Sequence, residues 1–284
     1  MESEFGAATD IDDFERKAQM LNYVEHRAIF EGFNSHLWTP NSGRLLWMTQ
    51  PAWPSSSWQI LSSDYDTQAS FYGVKKACEP VHVQLDLVSD EVDVVNTTLN
   101  TMPDASLSAK VYSLENKLLF ENSQKMQVGA NALTSGFKLD LAPFVAGKMV
   151  FVRLALNDVT GKVVSDNFYW LSREDPSSRP LNRLPPASVS VTASATRAGD
   201  EIEIHVQIEN DGTVAALANK FTLEAASDGE RILPAYWSDN YVSLLPGETR
   251  TIEIEYPASA APESAKIEVR GWNLPARTIS VSPR

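Results

Sequence analysis

The hydrophobic period of this chain changes once, at Pro80, and that change constrains its fold more than any other feature. After Pro80 apolar and polar residues alternate, and the alternation persists to the C-terminal part. Val81, Val83, Leu85 and Leu87 alternate with His82, Gln84 and Asp86, and Leu107, Ala109 and Val111 with Ser108 and Lys110. Val150, Val152, Leu154 and Leu156 repeat the pattern. A period of two puts apolar side chains on one face of a strand and polar ones on the other, so these segments are predicted as half-buried strands. Turn signals at Asn157-Asp158 and Thr160-Gly161 separate the last of them from Val163-Val164 and Phe168-Tyr169-Trp170. Strands this dense, with no helical stretch between them, predict an antiparallel sandwich of about 90 to 100 residues.

From Arg173 to Ala187 the chain holds Pro176, Pro180, Pro185 and Pro186 among serines and arginines, and is expected to run extended and stiff as an interdomain linker. Alternation then resumes with Ile202, Ile204, Val206 and Ile208, stopped by Asn210-Asp211-Gly212, a hairpin-type turn signal. Ile252, Ile254 and Tyr256 interleave with Thr251, Glu253 and Glu255, and Ile267 and Val269 mark a further strand. A second sandwich fits this part. The length of 284 residues agrees with two domains and a third, incomplete piece.

Before Pro80 the period is helical. Phe14, Ala18, Leu21, Ala28 and Phe33, widened by Met20, Val24 and Ile29, form an amphipathic stripe from Asp10 to about Phe33, which is expected to be the buried face. Asp10 is placed to cap this helix, with Asp12 and Asp13 against the positive end of its dipole. Pro40-Asn41-Ser42-Gly43 marks a turn into Leu45-Leu46-Trp47-Met48, an apolar run suited to a strand buried on both faces. A second helix is predicted from Thr67 to Cys78, ended by Glu79-Pro80. One strand makes no sheet, so residues 1–80 read as the tail of an α/β domain whose remainder is absent, or as a segment that docks onto a partner chain.

Composition excludes several function classes. With 24 basic and 37 acidic residues the net charge is −13, which repels a phosphate backbone, so no nucleic-acid partner is expected. No apolar run of about 18 residues occurs, and Met1-Glu2-Ser3-Glu4-Phe5 has neither a basic start nor an apolar core, so neither a membrane span nor an export signal is expected. The lone Cys78 cannot close an internal disulfide. His26, His36, His82 and His205 are scattered without ligand spacing, and neither metal nor cofactor is expected.

Chemistry concentrates in one stretch. Trp38, Trp47, Trp53 and Trp58 fall within 21 positions, with Tyr65, Phe71 and Tyr72 shortly after. Flat aromatic faces stack on the C–H-rich faces of sugar rings while a neighbouring amide fixes hydroxyls, and Trp47, Gln50 and Trp53 supply both elements. The same rings would serve equally to pack a strand against its helices.

The stretch from Gly43-Arg44-Leu45-Leu46-Trp47-Met48-Thr49-Gln50-Pro51-Ala52-Trp53-Pro54, then Ser70-Phe71-Tyr72-Gly73-Val74-Lys75-Lys76-Ala77-Cys78-Glu79-Pro80-Val81-His82-Val83-Gln84, resembles the end of the catalytic barrel in glycoside hydrolase family 2. Within it the likeness is to the mannosylglycoprotein endo-β-mannosidase, β-mannosidase and exo-β-glucosaminidase branch. Asp13-Phe14-Glu15-Arg16-Lys17-Ala18-Gln19 through Phe30-Glu31-Gly32-Phe33 is similar to the helix before the last barrel strand. Val94-Val95-Asn96-Thr97-Thr98, Asn167-Phe168-Tyr169-Trp170 and Ser238-Asp239-Asn240-Tyr241 through Leu245-Pro246-Gly247-Glu248 are similar to stretches of the two C-terminal sandwiches.

The resemblance implies a mainly β chain: two immunoglobulin-like β-sandwich domains preceded by the last helix-strand-helix piece of an incomplete (β/α)8 barrel. The expected division is 1–80, 81–172, a linker at 173–187, and 188–284. The implied enzyme is a retaining glycosidase of β-mannosides or β-glucosaminides, using two carboxylates about 5 to 5.5 Å apart. Both lie upstream of this helix in such enzymes, so no catalytic residue is assigned within the chain. Ser3-Glu4-Phe5-Gly6 resembles the surroundings of the family's nucleophile, but the better register runs Phe5-Gly6-Ala7-Ala8 straight into the late helix. Trp47, Gln50 and Trp53 are the implied substrate-binding residues, the implied partners are an oligosaccharide and the remainder of the barrel, in the same full-length protein or in a partner chain, and the implied whole enzyme works in the periplasm or outside the cell. The competing reading is a non-catalytic carbohydrate-binding or adhesion protein of tandem sandwiches.

Remaining signals are expected to be plain surface or loop. Glu15, Glu25 and Glu31 are assigned to the helix's solvated face, and the acidic faces around Glu201 to Glu209 and Glu253 to Glu255 to solubilising surface. Asp64 and Asp66 follow the apolar run and would border a sugar subsite or form an ordinary polar loop. Asn96-Thr97-Thr98 satisfies the N-glycosylation sequon.

Overall fold

The computed structural model describes residues 1–55, 59–173, 177–260 and 264–282. The chain divides into two compact units, one made of Met1–Thr9, Leu21–Trp47 and Gly73–Asn182, the other of Asp10–Met20, Met48–Tyr72 and Arg183–Arg284. Among the described residues no helix is long and apolar enough to cross a membrane.

The first unit is built on a sandwich. A three-stranded sheet orders β1 (Val81–Leu85), β2 (Glu91–Asn96) and β5 (Ala132–Lys138); a four-stranded sheet orders β4 (Leu118–Val128), β3 (Met102–Ser113), β6 (Val150–Asn157) and β7 (Val163–Leu171). All their pairings are antiparallel. The alternating residues Val83, Leu85, Val92, Val94, Leu107, Ala109, Val111, Val150, Val152, Leu154 and Leu156 meet in one buried cluster, as the period of two requires. The β6–β7 hairpin forms at the expected turn, where Asp158 Oδ1 accepts the backbone N–H groups of Thr160 and Lys162 at 2.8 and 3.0 Å and Gly161 takes φ +86°.

The other face of β1 departs from expectation. His82 and Gln84 are fully buried instead of facing water, because the end of α2 (Ile11–Asn34) lies over them: Gln84 Nε2 donates to Glu31 O and Ser35 Oγ, both at 2.9 Å. Asn96 is also buried, its Nδ2 donating to Asn100 O and Gly129 O at 2.8 Å each, so the sequon amide is committed to the loop that follows β2.

Helix α2 forms where predicted, with Asp13 N donating to Asp10 Oδ1 at 2.8 Å as the N-cap bond. Its buried face, however, is the polar one. Asp13, Lys17 and Met20 are buried in the second unit's part of the helix, and Arg27, Phe30, Glu31 and Asn34 in the first unit's part, whereas Phe14, Ile29 and Phe33 are exposed. Both stripes keep helical spacing, and the surface opposite decides which is buried. In the first unit that surface offers His82, Gln84 and Asn167, which demand charged and amide partners rather than methyl groups.

Helix α3 (Ala69–Ala77) ends ahead of Pro80. Within the first unit its backbone abuts α2 at Gly73, where a Cβ would lie 2.5 Å from Tyr23 O and 3.2 Å from Arg27 N. The run Leu45–Met48 is no ladder strand; Leu45 is 98% exposed and no described strand pairs with it. A strand exists only through hydrogen bonds to a neighbour, and an apolar run with none beside it stays irregular. The segment expected to be an extended linker contains a 3-10 turn at Arg179–Arg183 instead. Pro180 presets the required φ there, buried Leu181 anchors the turn, and Asn182 Nδ2 donates to Phe5 O at 2.8 Å. Pro176 lies outside the described residues.

The second unit carries another sandwich. One sheet orders β11 (Tyr236–Trp237), β13 (Thr249–Pro257), β9 (Glu201–Glu209) and β8 (Ser190–Ala198); the other orders β12 (Val242–Leu244), β10 (Ala216–Ala225), β14 (Ala265–Arg270) and β15 (Arg277–Val281). Ile202, Ile204, Val206, Ile208, Ile252, Ile254, Tyr256, Ile267 and Val269 are buried, and Glu201, Glu209, Glu253 and Glu255 face water as expected. Asn210-Asp211-Gly212 does not close a hairpin. β9 pairs with β8 and β13, while β10 joins the other sheet. Buried Asn210 pins the corner, its Nδ2 donating to Val214 O and Leu244 O at 2.9 Å; turn residues specify a reversal, not which strand follows in the same sheet.

Gly73→Ala is expected to destabilise the protein by about 1–3 kcal/mol, since the methyl group meets backbone that cannot swing aside. Chemical denaturation checks this; an unchanged midpoint would mean that the two helices separate freely.

Candidate functional site

The predicted sugar-contacting residues fall in both units. Trp47 belongs to the first and is 81% exposed; it ends a stretch anchored to α2, where Arg44 Nη2 donates to Asn34 Oδ1 at 2.8 Å and the guanidinium stacks over the Phe30 ring at 4.4 Å. Trp38 in the same unit donates from Nε1 to Asn131 O at 2.8 Å.

Gln50 and Trp53 belong to the second unit. Trp53 is 70% exposed, and Gln50 is half-buried with Nε2 donating to Ser63 O at 3.3 Å, which orients its amide along the loop. That loop is folded back on itself: Leu61 N donates to Thr49 O at 3.0 Å, and Ser62 Oγ accepts Asp66 N at 3.1 Å. Asp64 and Asp66 both pair with Arg231, so these carboxylates bind the loop to the second sandwich. Tyr72 is buried, its hydroxyl 2.7 Å from Thr67 Oγ1 and its ring 5.9 Å from that of Tyr241. Trp58 lies outside the described residues.

Sequence reasoning missed the densest polar cluster. Glu31, assigned to the solvated face, is 3% exposed. Its Oε1 accepts from Asn167 Nδ2 at 2.7 Å and Tyr169 OH at 3.0 Å and lies 3.0 Å from His82 Nε2, while Arg27 Nε stands 3.8 Å from Oε2. Arg27 also donates from Nη1 to Phe168 O at 2.7 Å and stacks over the Tyr169 ring at 4.2 Å. Burial alone would raise the Glu31 pKa, but the Arg27 charge and the His82 and Asn167 hydrogen bonds hold it below the usual carboxylate range. One signal was available. Arg27 and Glu31 are an i,i+4 pair on the stripe that also carries Asn34, and Asn167-Phe168-Tyr169 was already singled out.

Beside this cluster Asp93 stands directly opposite Gln84 in the β1–β2 ladder. Asp93 Oδ1 and Gln84 Oε1 are both buried and without a hydrogen-bond partner. Burial pushes the Asp93 pKa up to about 6, with Glu91 and Asp86 adding to the effect against a Ser135 hydrogen bond.

The other acids are occupied. Glu4, in the short helix Glu2–Phe5, accepts from Ser178 Oγ. Glu15 is half-buried rather than solvated, pairing with Lys220 at 3.2 Å and Arg270 at 2.6 Å within the second unit; Glu25 is exposed. Among the described residues no three His, Cys, Asp or Glu side chains group as metal ligands.

The domains have recognisable relatives. Residues 91–173 match the Mannosidase Ig/CBM-like domain and residues 167–274 the Exo-beta-D-glucosaminidase Ig-fold domain. The chain is 30% identical to a mannosylglycoprotein endo-beta-mannosidase of Lilium longiflorum, covering 98% of this chain and 35% of that protein, and 32% identical to an exo-beta-D-glucosaminidase of Hypocrea virens, covering 98% and 33%. The crystal structure of an Amycolatopsis orientalis exo-chitosanase superposes with a TM-score of 0.90 at 29% identity, over 98% of this chain and 36% of that one. The two sandwiches are therefore Ig-like domains, similar to the mannosidase Ig/CBM-like and exo-β-D-glucosaminidase Ig-fold domains. Over nearly its whole length the chain is similar to the C-terminal region of glycoside hydrolase family 2 proteins of this kind, and it spans about a third of the length of the curated relatives it matches.

Two stability changes follow from the buried cluster. Glu31→Ala leaves Arg27 without its buried counter-ion and Asn167 and Tyr169 without their acceptor, and is expected to cost about 3–5 kcal/mol in urea denaturation; a cost below about 1 kcal/mol would show that water reaches the site. For Asp93 the folded pKa stands above the unfolded value. The stability its neutral form contributes is thus complete at about pH 4 and lost as pH rises through about 6. Asp93→Asn should therefore raise the melting temperature at pH 8 and leave it nearly unchanged at pH 4; equal shifts at both would exclude a buried titrating carboxyl.

Proposed function

We propose that the chain is the C-terminal portion of a retaining glycoside hydrolase acting on β-mannosides or β-glucosaminides of oligosaccharides or N-glycans. Residues 1–80 are the closing piece of its catalytic barrel, 81–172 and 188–284 its two sandwich domains, and 173–187 the connection between them. In the complete enzyme Trp47, Gln50 and Trp53 line the pocket of the terminal sugar.

One observation carries the reading: the Trp47 and Trp53 rings stand open to solvent, while rings with a packing role, such as Phe151 and Tyr256, are buried. An exposed indole presents a flat apolar face on which a sugar ring can stack, and Gln50 Oε1 is free to accept from a hydroxyl because Nε2 is turned to Ser63. The relatives' names, an endo-β-mannosidase and an exo-β-glucosaminidase, support the substrate class. The exposed Ile29, Phe33, Leu45 and Leu46 of the first unit support a missing remainder of the barrel that covers them.

Hydrolysis in this class needs one carboxylate to attack the anomeric carbon and a second to protonate the leaving oxygen. The chain contributes orientation and stacking, which bind substrate and transition state nearly alike and so accelerate nothing by themselves. It should bind sugar feebly and hydrolyse nothing alone.

Assays of nitrophenyl β-mannoside, β-glucosaminide and β-galactoside on this chain and on the full-length gene product test the proposal. The full-length product is expected to turn over one of the first two, with Trp47→Ala or Trp53→Ala lowering kcat/KM by about 10-fold or more. Turnover by the isolated chain, abolished by Glu4→Gln, would overturn the assignment of the carboxylates. Sugar binding without turnover by the full-length product would favour the non-catalytic reading.

A further inference from the structure

The Glu31 cluster bears on how the tryptophan stretch is held. His82 is fully buried, and both of its ring nitrogens face carboxylates: Nε2 lies 3.0 Å from Glu31 Oε1 and Nδ1 3.2 Å from Glu79 Oε2. A neutral imidazole carries one N–H and one lone pair, so it satisfies one of these oxygens and opposes the other; only the imidazolium donates to both. Glu79 is fixed in turn by Lys76 Nζ and Ser165 Oγ, each at 2.7 Å.

The same helix end holds the chain that follows it. Asn34 Nδ2 donates to Ala77 O at 2.9 Å, and Asn34 Oδ1 accepts from Arg44, which also stacks over Phe30. Asn41 Nδ2 donates to Phe33 O at 2.9 Å. Residues 35–47 are thus tied to the last turns of α2, and those turns are tied to the first sandwich through Glu31, His82 and Gln84.

We propose that His82, as an imidazolium clamped between Glu31 and Glu79, is a positioning residue: it seats the end of α2 on the first sandwich and, through Phe30, Asn34 and Arg44, sets the placement of Trp47. Loss of its proton loosens residues 35–47 and weakens sugar engagement. Only the sugar consequence rests on the proposed glycosidase function.

The charged and titratable groups around His82 fix the direction. From α2 come Arg27 and Glu31, from the end of α3 Lys76, from the residues just after it Glu79, and from β7 Tyr169 and Asp166, the last paired with Arg153 of β6 and Lys76. Asp93 of β2 lies two positions along the ladder from the partner of His82. Burial by itself would lower the His82 pKa, but the hydrogen bonds and charges of Glu31 and Glu79 raise it above the ordinary histidine value. Its contribution is therefore complete below about pH 6.5 and lost as pH rises through the raised value. The Asp93 window lies lower, so the two separate.

Hydrogen exchange on this chain, normalised for intrinsic rate, tests the clamp. Peptides covering 35–47 should exchange several-fold faster at about pH 9 than at about pH 6, while those covering β6 do not. His82→Gln should remove the difference. Equal protection of 35–47 at both pH values, or retention of the wild-type dependence by His82→Gln, overturns the proposal. Should that variant not fold, NMR titration of His82 in the wild-type chain decides: a midpoint at or below that of free histidine overturns it. In the full-length product His82→Gln should abolish an alkaline fall in kcat/KM on the nitrophenyl glycosides; a full-length product without turnover would sink the glycosidase reading and leave the exchange result standing.

Discussion

A buried carboxylate organises the first unit. Glu31 sits in the last turn of a helix, almost without solvent, with the Arg27 charge beside it and His82, Asn167 and Tyr169 in hydrogen-bonding reach. Those partners come from three elements, Arg27 from α2, His82 from β1 and Asn167 and Tyr169 from β7, so the carboxylate ties the three together at one point. An apolar junction of the same area would hold as well or better in free energy, because desolvating ions is costly. What the ionic junction supplies is direction: hydrogen bonds fix the helix's rotation about its axis, which methyl packing does not. That rotation leaves Ile29 and Phe33 exposed.

The strands of both sandwiches were legible because each is half-buried against one core, so a period of two maps directly onto inside and outside. Val150 to Leu156 and Ile202 to Ile208 read correctly for that reason. The failures share another cause. The helix carried two stripes of equal spacing, and the sequence cannot say which one meets a surface that is polar because of residues more than fifty positions away, such as His82 for Glu31. His82 and Gln84 looked like a solvent face by alternation alone. The Asn210-Asp211-Gly212 turn was seen, but its outcome depends on which sheet receives β10.

Leu45–Met48 and the tryptophans mark a different limit. The composition of this run is that of a buried strand, yet its side chains are exposed and it joins no sheet among the described residues. Sequence encodes the strand, and its neighbours realise it. On the proposed function this run would pair with strands of the rest of the barrel.

The site reading therefore turns on what exposure means at two rings. Exposed tryptophan in a folded unit costs apolar contact with water, which a stable fold ordinarily avoids by burying the ring. Two open indoles at the ends of a seven-residue stretch, with a glutamine between them held by a loop carbonyl, waste that contact unless another surface takes it up. Neighbouring protein and a sugar ring place different demands on that surface. Protein covering would bury both indoles on all sides against side chains, whereas a sugar stacks on one face of a ring and exchanges hydrogen bonds with a neighbouring polar group. On the proposed function the Gln50 oxygen is the group left for a sugar hydroxyl, because its amide nitrogen already donates to Ser63 O.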